Sequence, residues 1–412
     1  MVCTKCGATL DDDVNFCPKC GIKVQTSGVS ERKISGKKTL RASGVPECSE
    51  KNQLMVYVPG RGLYFIANGT KLCFLDEETD SIKVLTKKNI PVNLCGLGYY
   101  NGDIYYWMEC QKSTSDLYGM RLNRLNVETN VSEPVWESDE DLFYHYRLDD
   151  TPLKARAILY QGAYYLLNHY EQKIMRVELP TGEWENLPLP NIQRHLPLYE
   201  WIKPKGVVDV KRMEPNFGMT FTGLDIVNGY IYLSLEEMMV CTLRFPVYNP
   251  DKVTYLPVNA AVAIQNDRNG GMLTSLGNRV FSCPGVVFGN ATLGLYEIKE
   301  DGNLIRMISS SGDINLQYKG GLWWRLGNTY YIGYLAVDLY QRKFHKIYPL
   351  LFDQGVYKDN VFGEVVDFVP ARNGSVYLLT EIGLYLVPAD WEDQIKHCGE
   401  QERFRIANVK KL

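Results

Sequence analysis

The 412-residue sequence has no run of eighteen apolar residues, and no basic segment followed by an apolar core opens it. A spanning helix needs about 20 apolar residues, so no membrane insertion and no export signal are expected, and the expected compartment is the cytoplasm. Net charge is also small. Forty-five Lys and Arg against 48 Asp and Glu leave −3, with a pI near 6.1. A field that weak calls for neither nucleic acid nor an anionic membrane. No long helical period is present, which leaves strands as the main element. A nucleophile elbow, a Gly-rich phosphate loop, an H-E-x-x-H pair and EF-hand spacing are all missing. The five His residues, at 145, 169, 195, 345 and 397, are scattered one per region. The WD dipeptide is absent, and the doublets Gly270-Gly271 and Gly320-Gly321 lack the spaced Tyr and Trp of kelch repeats.

Cysteine is the first positive feature. Four of the eleven Cys lie together as Cys3-Thr4-Lys5-Cys6-Gly7 and Cys17-Pro18-Lys19-Cys20-Gly21. Zinc prefers four thiolates in a tetrahedron, and each C-x2-C turn presents two sulfurs from one knuckle. The gap between the pairs is shorter than the commonest ribbon spacing. Disulfides are the alternative, which a reducing compartment disfavours. Cys3, Cys6, Cys17 and Cys20 are therefore read as ligands of one structural Zn2+. All four positions are filled by protein, so no water or substrate position is left for catalysis. The stretch resembles the short N-terminal four-cysteine zinc-ribbon module of many bacterial proteins, through these four Cys, Phe16 and the Gly after each pair. That resemblance implies a ribbon placed ahead of a second domain. Cys48, Cys73, Cys95, Cys110, Cys241, Cys283 and Cys398 read as reduced thiols packed as small hydrophobes.

The remainder repeats. Asn228-Gly229-Tyr230-Ile231-Tyr232-Leu233 recurs as Asn101-Gly102-Asp103-Ile104-Tyr105-Tyr106 and Asn373-Gly374-Ser375-Val376-Tyr377-Leu378. Weaker copies centre on Tyr64, Tyr165, Phe281 and Tyr331. The aromatics fall 41, 60, 67, 49, 50 and 46 residues apart. Asn-Gly supplies the positive φ angles of a two-residue hairpin, and the 28 Tyr suit half-buried pleated strands. A third strand, an acidic turn such as Asp76-Glu77-Glu78-Thr79, and a fourth strand follow. Hairpin, strand, acidic turn, strand is one propeller blade. The expected fold is all-β: a zinc ribbon over 1–23, a flexible polar linker over 24–38 and a seven-bladed β-propeller over 39–412. It broadly resembles divergent bacterial propeller domains of uncharacterised function. The last blade supplies only three strands. Thr39 to Ala42 is the favoured source of the fourth, with Phe404 to Val409 as the alternative.

Two connections are long: 138–154, and 191–221 with His195 and Trp201. Long loops in compact repeats carry function or cap an edge. Aligning the hairpins puts Gly98, Ile158, Asp225, Thr274, Trp324 and Asp367 in one column, with Arg156 on the face of Ile158. Arg156, Asp225, Trp324 and Asp367 are thus candidates for a polar ligand site at the central channel; a hydrated channel is the favoured reading. The function expected is a non-catalytic, monomeric binding or scaffold protein that recognises a protein or peptide. The alternative is a lyase or hydrolase using channel carboxylates. A nucleic-acid contact through Lys5, Lys19 and the linker basics is the weakest of the three.

The metal reading is testable by elemental analysis. The purified chain should carry one zinc equivalent and lose it on Cys6→Ser. No metal, or disulfides among the four Cys, overturns it.

Overall fold

The structure is a computed structural model. It describes residues 54–67, 69–86, 94–110, 117–138, 143–144, 157–168, 173–190, 219–237, 241–256, 272–283, 294–309, 323–326, 328–332, 335–346, 365–380, 383–391, 393–394, 408 and 410–412. The expected ribbon and linker lie outside these residues. Among the described residues the chain is all-β, and no helix is long and apolar enough to cross a membrane.

Seven antiparallel sheets occur among the described residues, each with its strands in sequence order. Sheet 1 covers 55–84, sheet 2 94–137, sheet 3 157–187, sheet 4 219–256, sheet 5 272–309 and sheet 6 323–346. Sheet 7 covers 365–387 and takes Lys410–Lys411 as its fourth strand. Phe143–Tyr144 adds a short strand to sheet 2 by pairing with Leu117–Asn126. The Asn-Gly hairpins form as the sequence dictates. Asn228 and Gly229 have φ of 51° and 78°, angles that Asn tolerates and Gly adopts freely. The acidic turns have a mechanism too. Asp76 accepts hydrogen bonds from the backbone N–H of Glu78 and Thr79, at 2.9 and 3.1 Å, and Asp338 does the same for Tyr340 and Gln341. Each carboxylate closes the turn between the third and fourth strands.

The sheets pack through their first strands. Met55–Val58 touches both Leu94–Tyr100 of sheet 2 and Val365–Pro370 of sheet 7, so the first and last sheets are neighbours. Ala157–Tyr160 meets Met219–Val227, which meets Met272–Leu276. This is a propeller-like arrangement: sheets lie side by side, and in the seams with described packing one sheet covers the face of the next. Between sheets 2 and 3, the buried Trp107 stands edge-on to Trp136 and Tyr164, at 5.8 and 5.3 Å between centroids. Such pairs contribute about 0.5–1.5 kcal/mol beyond the area they bury. Gly98 is needed here, because a Cβ in its place would strike the Tyr164 hydroxyl.

Neighbouring sheets are stitched at the end that carries the tight turns. Arg61 of sheet 1 pairs with Glu128 of sheet 2. Asn228 Nδ2 of sheet 4 donates to the Gly277 carbonyl of sheet 5 at 2.9 Å, and Arg279 of sheet 5 donates to the Leu339 carbonyl of sheet 6 at 3.0 Å. Arg372 of sheet 7 lies 2.8 Å from the Glu77 carboxylate of sheet 1, which also accepts from Tyr57 at 2.9 and 3.0 Å. Burial first, and then Glu77, push the Tyr57 hydroxyl well above the usual phenol range.

The fourth strand of sheet 7 corrects the sequence expectation. Lys410–Lys411 pairs with Tyr385 and Leu386, Leu412 N donates to the Leu384 carbonyl at 2.9 Å, and Lys410 reaches Asp80 of sheet 1 at 2.7 Å. The edge assigned to residues 39–42 is therefore occupied by residues just beyond the 404–409 alternative. The physical reason is that this strand gains both a ladder and an ion pair across the closing seam. Residues 39–42 themselves lie outside the described residues. Deleting 410–412 should lower the melting temperature by a few degrees in a thermal melt, since it exposes the edge of Gly383–Val387. Lys410→Ala alone should do little, because exposed ion pairs contribute about 0–1 kcal/mol.

Candidate functional site

Two candidates arise from the sequence: a metal centre and a polar column. The metal ligands Cys3, Cys6, Cys17 and Cys20 lie outside the described residues. Their donor chemistry fits zinc, with two thiol pairs and no carboxylate or imidazole. Among the described residues no group of three or more His, Cys, Asp or Glu is placed to hold a metal.

The column is formed in register. Gly98, Ile158, Asp225, Thr274 and Trp324 each lie directly opposite the repeated aromatic of their hairpin: Tyr105, Tyr165, Tyr232, Phe281 and Tyr331. In sheet 7 the position belongs to Val369, which opposes Tyr377. Asp367 opposes Leu379, two residues further from the turn in the same unbroken register, because Pro370 pairs with Val376 across a five-residue connection, 371–375, where the other Asn-Gly hairpins have two. Asp367 therefore leaves the column. Arg156, His195 and Trp201 lie outside the described residues, and for Trp324 only the strand position is described.

Where the column's side chains are described, they lie on a sheet face covered by the next sheet. Ile158 packs in one core cluster with Leu224 and Leu233 of sheet 4. Gly98 faces Tyr164 of sheet 3. Asp225 is 0 % exposed, and its Oδ1 accepts from the Ile226 N–H at 2.9 Å. Strand side chains alternate between the two faces of a sheet, and here both faces are covered by neighbours. Asp225 thus belongs to the seam between sheets 4 and 5.

The third strand holds charged residues that the sequence reading passed over. Tyr105, Tyr165, Tyr232 and Phe281 are also flanked on their other side by Arg124, Arg176, Arg244 and Glu297. The legible signal was a charge one or two residues before the end of the third strand, between apolar neighbours as in Leu243-Arg244-Phe245. Arg124 binds Asp103 at 2.7 Å, and Arg176 binds Glu178 and Glu185 at 2.6 and 3.0 Å. Burial, the larger cause, pushes the Tyr165 hydroxyl up to about 12. Arg244 stacks on Tyr230, 5.2 Å from its centroid, and donates across the seam to the carbonyls of Lys299 and Glu300. Glu297 is 2 % exposed and carries three cations: Arg279 at 2.9 and 3.0 Å, Lys299 at 2.8 Å and Arg342 of sheet 6 at 3.0 Å. The Arg279 hydrogen bond is the chief cause that holds its carboxyl down at about 2. These groups are charge-assisted clamps between strands and sheets.

Comparison with known proteins agrees with the amino-terminal motif. Residues 2–24 match the model of the zinc-ribbon domain family. No curated protein matches the chain. Among solved structures it is similar to the extracellular domain of a hybrid two-component system from B. thetaiotaomicron, at 12% identity and a TM-score of 0.43, over 81% of this chain and 39% of that one. It is similar to Saccharomyces cerevisiae Sqt1 at 10% identity and TM-score 0.43, over 88% and 86% of the two chains. An oligogalacturonate lyase in complex with manganese matches at 9% identity and TM-score 0.36, over 81% and 75%. The chain thus spans well under half of the first of these proteins.

Glu297 gives a pH test. Its folded carboxyl titrates near 2, below its ordinary value of 4.5. The stability it contributes is complete above that ordinary value and is lost as pH falls towards 2. Glu297→Gln should lower the melting temperature at pH 7 and flatten the fall between about pH 4.5 and 2. An unchanged acid limb would remove Glu297 from the clamp.

Proposed function

We propose that the chain is a non-catalytic binding or scaffold protein, a seven-bladed β-propeller that recognises a protein or peptide partner and carries a structural zinc ribbon. The observation that carries this reading is the asymmetry between the two ends of the sheets. At one end, adjacent sheets are tied by the turn-to-turn bonds described above. In an antiparallel meander the other connections leave from the opposite end. These are the links between successive sheets: 85–93, 138–156, 188–218, 257–271, 310–322 and 347–364. The exception is 388–409, which departs from the tight-turn end. Length and variety concentrated at one end of a bonded ring suit recognition by loops on a fixed scaffold.

The buried charges support the same reading. Asp225, Arg244, Glu77 and Glu297 are engaged in turns, seams and ion clusters rather than gathered at a cleft. In this proposal the protein is monomeric and cytoplasmic, and nucleic acid and membranes are not its partners. The lyase or hydrolase alternative needs carboxylates converging at the channel, a role for which the enclosed Asp225 is poorly suited.

The test is to replace 191–218 by a short Gly/Ser linker. The variant should melt within a few degrees of the parent, because its sheet ladders are intact, and should lose a partner that the parent captures at one-to-one stoichiometry. Unchanged capture after this replacement and the matching one at 139–156 overturns the assignment. Turnover by the purified parent in a lyase or hydrolase screen would favour the alternative.

A further inference from the structure

The outer strand of sheet 1 is built unlike the other outer strands. Ser81–Val84 pairs with Cys73–Asp76 without a register shift, and Leu85 N donates to the Leu72 carbonyl at 2.8 Å. Hydrogen-bonded and non-hydrogen-bonded pairs alternate along an antiparallel ladder. Ser81, Lys83 and Leu85 therefore bond inward, and the N–H and C=O of Ile82 and Val84 point away from the sheet. Their side chains are exposed as well, at 44 % and 52 %. Both continue buried apolar rows: Tyr57, Leu63 and Leu75 lead to Ile82, and Met55, Phe65 and Cys73 lead to Val84. That face is turned to sheet 7, where the Tyr377 ring lies 5.9 Å from Tyr57 between centroids. The fourth strand of sheet 7 has only two residues and does not cover the two side chains.

The other outer edges carry features that discourage a further strand. Sheet 2 has Pro134 and a register shift, and sheet 5 has a register shift. Sheet 6 has Lys343 and Lys346, and sheet 7 has Lys410 and Lys411. The fourth strand of sheet 4 is three residues long and holds no exposed large hydrophobic side chain. Sheet 3 has a regular edge, but Glu178 N donates to the Glu183 carbonyl, so its outward-bonding residues are Trp184 and the amide Asn186. Among the described residues, sheet 1 alone sets two exposed aliphatic side chains on residues whose backbone groups face outward at an unpaired edge.

We propose that Ser81–Leu85 is a docking edge for an extended segment of a partner protein with the pattern apolar–acidic–apolar, added as a further strand of sheet 1. The outward backbone groups at alternate residues call for a strand. Ile82 and Val84, two residues apart on one face, call for apolar residues opposite them. Lys83 is exposed and points to the other face; its charge reaches the turn residue Asp76, but it forms no salt bridge among the described residues. An acid between the two apolar residues supplies that partner. The edge is separate from the connections 139–156 and 191–218, which join sheets 2, 3 and 4, so either recognition surface can fail without the other.

The probes are two capped peptides, Thr-Val-Glu-Val-Thr and Thr-Val-Lys-Val-Thr, titrated against the full chain and followed by ligand-observed NMR. The Glu peptide should bind about two- to fivefold tighter, the range of a cross-strand charge pair, and Lys83→Glu should invert the preference. Val84→Pro removes an N–H that points away from the sheet, a position where an edge strand accepts proline. That variant should melt within a few degrees of the parent and bind the Glu peptide at least fivefold more weakly. If it melts far lower, the backbone test passes to the Glu peptide N-methylated at both valines, which should show the same loss. Absence of saturable binding at millimolar peptide, an unchanged preference in Lys83→Glu, or binding indifferent to loss of the backbone N–H groups each overturns the proposal. So does an experimental structure of the full chain in which another segment of the chain, or a second copy, pairs with Ile82 and Val84.

Discussion

Most described side chains on the first and second strands of these sheets face a neighbouring sheet, and the rest of the structure depends on that constraint. A strand offers two faces, and in an isolated antiparallel sheet one of them can stay wet. Here both are covered, which is why Leu63, Tyr64, Phe65 and Ile66 are all buried although they alternate in direction. The repeated aromatic points at the next sheet in each hairpin whose packing is described. Its two cross-strand neighbours are then enclosed with it, whatever their chemistry. Where those neighbours are Arg124, Arg176, Arg244 or Glu297, the charge must be bonded inside the seam or at its mouth. The aromatic column and the ion clusters are two results of one geometric rule.

The same rule separates what could be read from the sequence from what could not. The hairpins were legible because Asn-Gly has a local cause, and Asn101, Asn228 and Asn373 all adopt positive φ. The column was legible as a register, because counting from a turn of fixed length identifies cross-strand partners. Its surroundings were not legible, because the direction of a strand residue says which face it takes and not what covers that face. Asp225 was placed in the correct row and then given to the channel, although it is enclosed by the next sheet. Asp367 was misplaced for a local reason, the longer connection between Pro370 and Val376, which contains the short turn Arg372–Gly374 and changes the count from the hairpin to the aromatic. The closing strand was missed because a two-residue strand, Lys410–Lys411, has no periodicity to detect, and its attachment rests on Asp80, 330 residues away.

The clamp around Glu297 illustrates why charge in a seam is weak evidence of function. One carboxylate is held by three cations, so replacing it leaves Arg279, Lys299 and Arg342 repelling one another at the mouth between sheets 5 and 6. Removing one partner of a buried ionic group costs more than the group contributes over an apolar substitute. A depressed carboxyl is therefore what a structural clamp produces as well as what a catalytic site needs. The direction of the bonds decides between them here. Those from Arg279 and Arg342 to Glu297 and to the Leu339 carbonyl run within or between sheets 5 and 6.

The uneven polarity of the seams follows from how such a ring divides its tasks. A seam filled by Leu and Ile fixes two sheets by packing alone, at little cost in specificity of register. The seam between sheets 4 and 5, lined by the buried Asp225, Ser234, Thr242 and Ser282, loses apolar contact and gains groups that each demand a partner in one geometry. The crossing bonds from Arg244 to the turn of sheet 5 supply part of that geometry at the tight-turn end. Stitching at that end leaves the opposite one free to vary in length, because a change in a connecting loop does not reach the turns that tie neighbouring sheets. Stability and variety are thus assigned to different ends of the same strands, and a polar seam is tolerated where the stitching is already made.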